Sequence, residues 1–159
     1  MTDLHCHILP AIDDGAKNAK VSMELLRMQN DAGVTDIVCT PHFNPDSQNL
    51  EDFIDKRYRS ARYLADHVFR SELPVRLKFG AEVRISPTIL DLDFLPLCFQ
   101  KTKVMLLEMP RTLRPQWDTN VIYQLTLGGV IPLIAHIERY PYVQKKPNIA
   151  LDWIEAGAY

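Results

Sequence analysis

The chain's 159 residues suit one domain, residues 1–159, and are enough to bury a core. Apolar residues make up 47% and charged residues 24%, which excludes a disordered chain, and a formal net charge of −2 with scattered Lys and Arg leaves no footprint for nucleic acid. No apolar run approaches the roughly 20 residues needed to cross a bilayer, and Asp3, His5 and His7 stand where a secretory signal would be basic and then apolar, so a cytoplasmic chain with no membrane insertion is expected.

The elements alternate strand and helix. Asp3–Ile8 reads as a short opening strand. Val21, Leu25, Met28 and Ala32 recur at helical spacing, with Gly33 as a stop. Thr35–Thr40 is apolar and β-branched, a strand ending at Pro41. Leu50, Phe53, Ile54, Arg57, Tyr58, Ala61, Leu64, Ala65 and Val68 form the stripe of a long amphipathic helix. Val75, Leu77 and Phe79 alternate with basic residues up to Gly80, just before Glu82. Ser86–Gln100, rich in Pro, Asp and Leu, predicts short helical turns. Val104–Met109 is a buried strand, Trp117–Leu127 a helix stopped by Gly128-Gly129, Val130–Ala135 another buried strand and Asn148–Ala156 a last helix.

This order predicts an α/β fold with a parallel sheet and crossover helices, covered on both faces where the strands are almost wholly apolar. Tyr159 follows a helix, where a βα architecture would place its next strand. The expectation is either an open sheet or part of a longer protein.

The chemistry gathers at strand ends. On a strand, residues two apart share a face, so Asp3, His5 and His7 point one way and Leu4, Cys6 and Ile8 the other. Two imidazoles on one face can hold one metal ion. Asp13-Asp14-Gly15 follows at once. Asp13 reads as a turn or cap residue, and Asp14 sits past a strand's C-terminal end, where α/β folds place ligands. His42 follows the second strand, Glu82 ends the third, Glu108 lies inside the fourth apolar run and His136 caps the fifth. Any one of these could be a hydrogen-bonded buried polar residue. Together, seven such groups at one sheet edge would be unsatisfied without cations. Mixed His and carboxylate ligands suit zinc, manganese or iron, and seven exceed the needs of one tetrahedral ion, so at least two ions are expected.

The stretches DLHCHILPAIDDG, GVTDIVCTPHF, FGAEVRI, VMLLEMP and AHIERYP resemble, in order, the PHP (polymerase and histidinol phosphatase) superfamily, and within it the metal-dependent tyrosine-protein phosphatases of bacterial capsule and exopolysaccharide loci. The resemblance runs from residue 3 to the C-terminus. It implies a distorted (β/α)7 barrel with two or three divalent ions at its C-terminal face, manganese first, with iron or zinc as alternatives. By position, the metal ligands would be His5, His7, Asp14, His42, Glu82, Glu108 and His136, and Arg139 would hold the substrate phosphate. A guanidinium suits that task because its fork matches phosphate oxygens; the plainer alternative for Arg139 is a surface ion pair with Glu138. The implied reaction is hydrolysis of phosphotyrosine in a protein, such as a bacterial tyrosine kinase, in the regulation of capsule synthesis.

The chain departs from the family twice. Ile137 replaces the proline of the usual HPERY motif, and no Asp-x-His motif follows His136, so the barrel is expected to lack its C-terminal strands. Two alternatives stand beside the lead reading. One is a phosphatase for a small ester such as histidinol phosphate. The other is an inactive metal-binding fragment whose open sheet edge would drive homo-oligomerisation.

The remaining residues read more simply. The three cysteines, Cys6, Cys39 and Cys98, fit no disulfide or zinc spacing and read as reduced packing thiols. A thiol phosphatase's Cys-x5-Arg loop is absent, since Ile12, Pro45 and Val104 stand where its arginine would be. His67 reads as exposed, and Trp117 and Trp153 as packing residues. Arg111 and Arg114, on the loop after Glu108, either steer an acidic or phosphorylated peptide or belong to a solvated loop.

Overall fold

Two of the five predicted strands each fold as a pair. The computed structural model describes residues 1–159, and its elements run β1 (Thr2–Cys6), α1 (Ala19–Asp31), β2 (Asp36–Cys39), β3 (His42–Phe43), α2 (Leu50–Arg70), β4 (Arg76–Phe79), β5 (Glu82–Arg84), β6 (Val104–Glu108), α3 (Asp118–Leu127), β7 (Ile131–Ile134), α4 (Pro141–Lys145) and α5 (Asn148–Glu155). The 3₁₀ turns Pro87–Asp91 and Leu95–Leu97 fall in the Pro-rich stretch expected to hold them, and a third spans Ile137–Arg139.

All strand pairs are parallel. One sheet has the order β1-β2-β4 and the other β3-β5-β6-β7. The chain passes from the first sheet to the second at Thr40-Pro41 and again at Gly80-Ala81. At the first crossing, Thr40 N–H donates to the Cys6 carbonyl, and the Pro41 carbonyl accepts from Glu82 N–H. At the second, Gly80 N–H donates to the Cys39 carbonyl. A Cβ on Gly80 would lie 2.7 Å from Cδ1 of Phe99, so only glycine lets the chain turn there with that ring in place. Glu82 and His42 therefore open short second strands instead of ending long first ones, and the register sets them directly opposite each other.

The helices cover the sheets. α1 and α2 pack on the first, where Leu26, Leu64, Ile37 and Cys39 share a core with Ile8 and Leu9. α3 and α5 pack on the second, around Leu107, Ile122, Leu125 and Trp153. Full burial of each large apolar side chain contributes roughly 1.5–3 kcal/mol, so both cores are substantial. α1 uses a different face from the one its spacing suggests. Ala19, Ser22, Met23 and Leu26 are buried, while Leu25 and Met28 are exposed. Two apolar stripes overlap on this helix, and the small Ala19 and Ser22 side chains let the second one approach the core more closely.

Capping follows the sequence. Asn18 and Asn49 accept N–H bonds at the starts of α1 and α2, and Gly33 takes a positive φ of 85° after α1. Beyond β7, Tyr159 N–H donates to the Pro132 carbonyl and the Tyr159 carbonyl accepts from Ile134 N–H. No helix is long and apolar enough to cross a membrane.

Candidate metal centre

The first cysteine-histidine strand delivers two imidazoles to one place. His5 Nε2 and His7 Nε2 lie 3.1 Å apart, and each is 2.9 Å from Oε2 of Glu82. Strict alternation along β1 does not hold, because its pairing with β2 shifts between Asp3 and Cys6. Gln29 reaches both residues, donating to the Asp3 carboxylate at 2.7 Å and to Cys6 Sγ at 3.3 Å. Asp3 thus faces α1 and takes no part in the cluster.

Glu82 is the hub. It is 1% exposed, at the start of β5. His136 Nε2 lies 2.7 Å from its Oε1, and His42 Nδ1 lies 3.3 Å from its Oε2. Glu108, at the end of β6, is 3.8 Å from both His42 and His136. Asp14, exposed on the loop after β1, is 3.6 Å from His42 Nε2. All seven residues expected as metal ligands therefore meet at the junction of the two sheets.

Three overlapping groups have ligand atoms close enough to share an ion: His5, His7 and Glu82; His7, Asp14 and His42; and His42, Glu82 and Glu108. Two buried polar atoms support a cation there. Glu82 Oε2 accepts no well-directed hydrogen bond, although His5 and His7 Nε2 stand 2.9 Å away, and His136 Nδ1 has no partner. A buried carboxylate oxygen without a well-directed donor is costly, and a divalent ion would satisfy it. The donor set of imidazoles and carboxylates fits a transition metal.

At His7 and Glu82 burial favours the neutral form, but their contacts overrule it. Burial pulls the His7 imidazole down, yet its hydrogen bond to Asp13 and its contact with Glu82 push it up to about 10. Burial would raise the Glu82 carboxyl, but His5, His7 and His42 hold it well below the usual carboxylate range. The site strongly favours opposite charges close together.

Asp13 has a larger role than a turn residue. Its Oδ2 is 2.8 Å from His7 Nδ1 and accepts the His42 backbone N–H at 3.1 Å, while Oδ1 accepts from Gly15 N–H at 3.0 Å. It fixes the His7 ring so that Nε2 faces Glu82. Burial raises its carboxyl, but the bonds from His7, Gly15 and His42 bring it below its ordinary value. The sequence signal was the six-residue spacing from His7, which a turn reading also explains. Gly15 is required beside it, since a Cβ there would lie 2.2 Å from the His7 carbonyl oxygen.

Tyr140 is a second residue that periodicity did not single out. Its fully buried hydroxyl accepts from Met109 N–H at 2.9 Å and donates to the Ala135 carbonyl at 3.0 Å. It ties together the chain next to Glu108 and the chain next to His136. His136 itself is left-handed, with φ 33° and ψ 50°, a strained conformation for a non-glycine residue that this bracing holds in place.

The arginines divide. Arg111 and Arg139 line the same 360 Å³ cleft as His5, His7, Asp14, His42, Glu82 and His136, and no apolar side chain lines it. Arg139 is 3.4 Å from Glu138, and Arg111 is 3.5 Å from Glu108. Arg114 points elsewhere. It pairs with Asp118 at 2.7 Å and Asp152 at 2.6 Å, and Asp118 also accepts from the Trp153 indole at 2.7 Å. Arg114 is a structural tie between α3 and α5, neither a steering group nor a solvated loop residue. Trp153 is core, as expected. His67 is half-buried against Tyr63 on α2 and is not among the residues of the cluster.

The fold has solved relatives. A structure from the pair YwqE of Bacillus subtilis and CpsB of Streptococcus pneumoniae, two metal-dependent tyrosine phosphatases, superposes with a TM-score of 0.88 at 33% identity, over 99% of this chain and 64% of that one. The tyrosine-protein phosphatase YwqE of Bacillus subtilis (strain 168) is 33% identical over 99% of this chain, and the tyrosine-protein phosphatase CpsB of Streptococcus agalactiae is 27% identical over all of it. The chain spans 62% of the first relative's length and 65% of the second's. From residue 1 to residue 159 it matches the family of capsular polysaccharide synthesis proteins CpsB/CapC, and it belongs to that family.

Proposed function

We propose that this chain carries the metal centre of a metal-dependent phosphatase, a hydrolase of phosphoric monoesters that acts on phosphotyrosine in proteins and serves capsular polysaccharide synthesis. The observation that carries this reading is Glu82, buried among four imidazoles with an oxygen that accepts no well-directed hydrogen bond. Membership of a family whose relatives are tyrosine-protein phosphatases supports the substrate class.

His5, His7, Asp14, His42, Glu82, Glu108 and His136 would hold two or three divalent ions, with manganese the first candidate and iron or zinc next. Such ions supply Lewis acidity and an activated water near neutral pH. The chain's own part is to orient and to bind. Asp13 holds the His7 ring. Arg139, assisted by Arg111, presents N–H donors to phosphate oxygens across the cleft, where charge grows in the transition state. No thiol takes part.

We read residues 1–159 as one unit of a distorted PHP-type barrel. The neighbour order, which runs along the chain through β1, β2 and β4 and then β5, β6 and β7, favours a singly wound barrel over a doubly wound sheet. The partner is a tyrosine-phosphorylated protein, for which a bacterial tyrosine kinase in the cytoplasm is the natural choice.

The test is turnover of an aryl phosphate. Excess chelator is expected to abolish it, added Mn²⁺ to restore it, and thiol alkylation to leave it unchanged. Glu82→Gln should remove both turnover and metal uptake. Turnover retained in chelator overturns the reading, and faster turnover of histidinol phosphate than of a phosphotyrosine peptide overturns the substrate assignment.

A further inference from the structure

A second cleft, of about 560 Å³, lies between α2 and the segment 95–102 and shares no residue with the metal centre. Its walls are largely apolar, with Ile54, Ala61, Phe79 and Phe99 among them. Its charges are of one sign: Arg57, Arg62 and Lys101 line it, and no Asp or Glu does.

Arg57 is the unusual member. It is half-buried, and its two terminal nitrogens donate to neutral carbonyls, those of Gly80 at 2.7 Å and Pro96 at 2.8 Å. Its guanidinium lies 5.3 Å from the Phe53 ring centre. No carboxylate pairs with Arg57, Arg62 or Lys101, whereas Arg114, also partly buried, has two. A desolvated cation without a counter-charge is costly, and burial accordingly lowers the Arg57 pKa. Five N–H donors leave a guanidinium with capacity beyond the two carbonyls it already serves.

The lip of the cleft is strained as well. Lys101 has a φ of 64°, a left-handed conformation in which a glycine would sit without strain. A lysine there keeps a positive charge at the opening.

We propose that this cleft binds a small organic anion with a flat apolar body, an aryl carboxylate or aryl phosphate, whose head group lies among Arg57, Arg62 and Lys101. The volume falls in the usual range for small-molecule sites, and the pattern of apolar walls with a few polar groups is the one such sites share. The single sign of charge selects an anion over a neutral or cationic ligand.

The test uses a fluorescent aromatic anion, anilinonaphthalene sulfonate, beside its neutral counterpart N-phenylnaphthylamine. The sulfonate is expected to saturate one site per folded chain, with benzoate and phenyl phosphate as competitors that separate the two head-group classes. Replacing both Arg62→Gln and Lys101→Gln, at exposed positions, should weaken the sulfonate about tenfold and leave the neutral dye unchanged. Ala65→Trp, on the cleft wall, should block both dyes. Equal binding of the two dyes, or unchanged sulfonate binding by the double variant, overturns the proposal. If Ala65→Trp fails to fold, the double variant decides.

Discussion

Asp13 shows how much one carboxylate can set. It holds the His7 ring, the His42 backbone and the turn at Gly15 at once. Partners of this kind, bonded to the far nitrogen of a metal-binding histidine, typically change metal affinity 10–100-fold when removed. Asp13→Ala is therefore expected to weaken Mn²⁺ binding by about that factor in a calorimetric titration while the far-ultraviolet spectrum stays folded. Unchanged affinity would show that His7 is oriented by its strand alone. Tyr140 works on the same scale from the other side, bracing the strained backbone of His136 through two main-chain bonds. Neither residue is a proposed ligand. Spacing rules that search for ligands pass over such residues, because their effect runs through a neighbour brought close only by folding.

Among the elements, the two interrupted strands matter most. β2 and β4 end where Thr40-Pro41 and Gly80-Ala81 let the chain cross between sheets, and β3 and β5 begin with His42 and Glu82. The Pro and Gly signals were legible, but as strand ends. A residue pair that follows such a break continues in a second sheet only if a neighbouring strand offers its edge, and that neighbour comes from distant sequence. Gly80 gives a direct test. Adding one methyl puts it 2.7 Å from the Phe99 ring. Gly80→Ala is expected to cost roughly 1–3 kcal/mol in urea unfolding, and Phe99→Leu in the same chain should recover part of it. A purely additive double variant would place the cost in the backbone instead. α1 carries a related lesson. Its helical period was clear in the sequence, yet the buried face was the stripe beside the expected one, because small Ala19 and Ser22 pack closer than Leu25 and Met28.

For the whole molecule, the buried thiols and phenols fix the alkaline limit of stability. Burial pushes Cys98 up to about 11 and Tyr142 up to about 12, and it raises Cys39 and Tyr140 as well. A group with a raised folded-state pKa binds more protons when folded than when unfolded. Its stabilisation is complete below the unfolded value, near 9 for thiols and 10 for tyrosines, and is lost as pH rises through the folded one. The melting temperature is expected to fall steadily from about pH 9 upward in scanning calorimetry. Replacing Cys98→Ala should remove part of that fall between about pH 9 and 11, the window it shares with Cys6. A melting temperature constant to pH 11 would mean that these groups titrate as they do in the unfolded chain.

The amino-acid order by itself singled out the residues that the proposed chemistry would use. His, Asp and Glu at strand ends, the alternating β and α pattern and the motif set from DLHCH to HIERY are local features, and local chemistry and period are written in sequence. Only the tertiary structure decided how those residues meet. The strands divide between two sheets, Glu82 becomes the centre of four imidazoles, Asp13 turns from a cap into the holder of His7, and Arg114 leaves the site while Arg111 stays in it. Each of these outcomes depends on contacts between residues far apart in the chain, and packing selects among the local options that sequence leaves open.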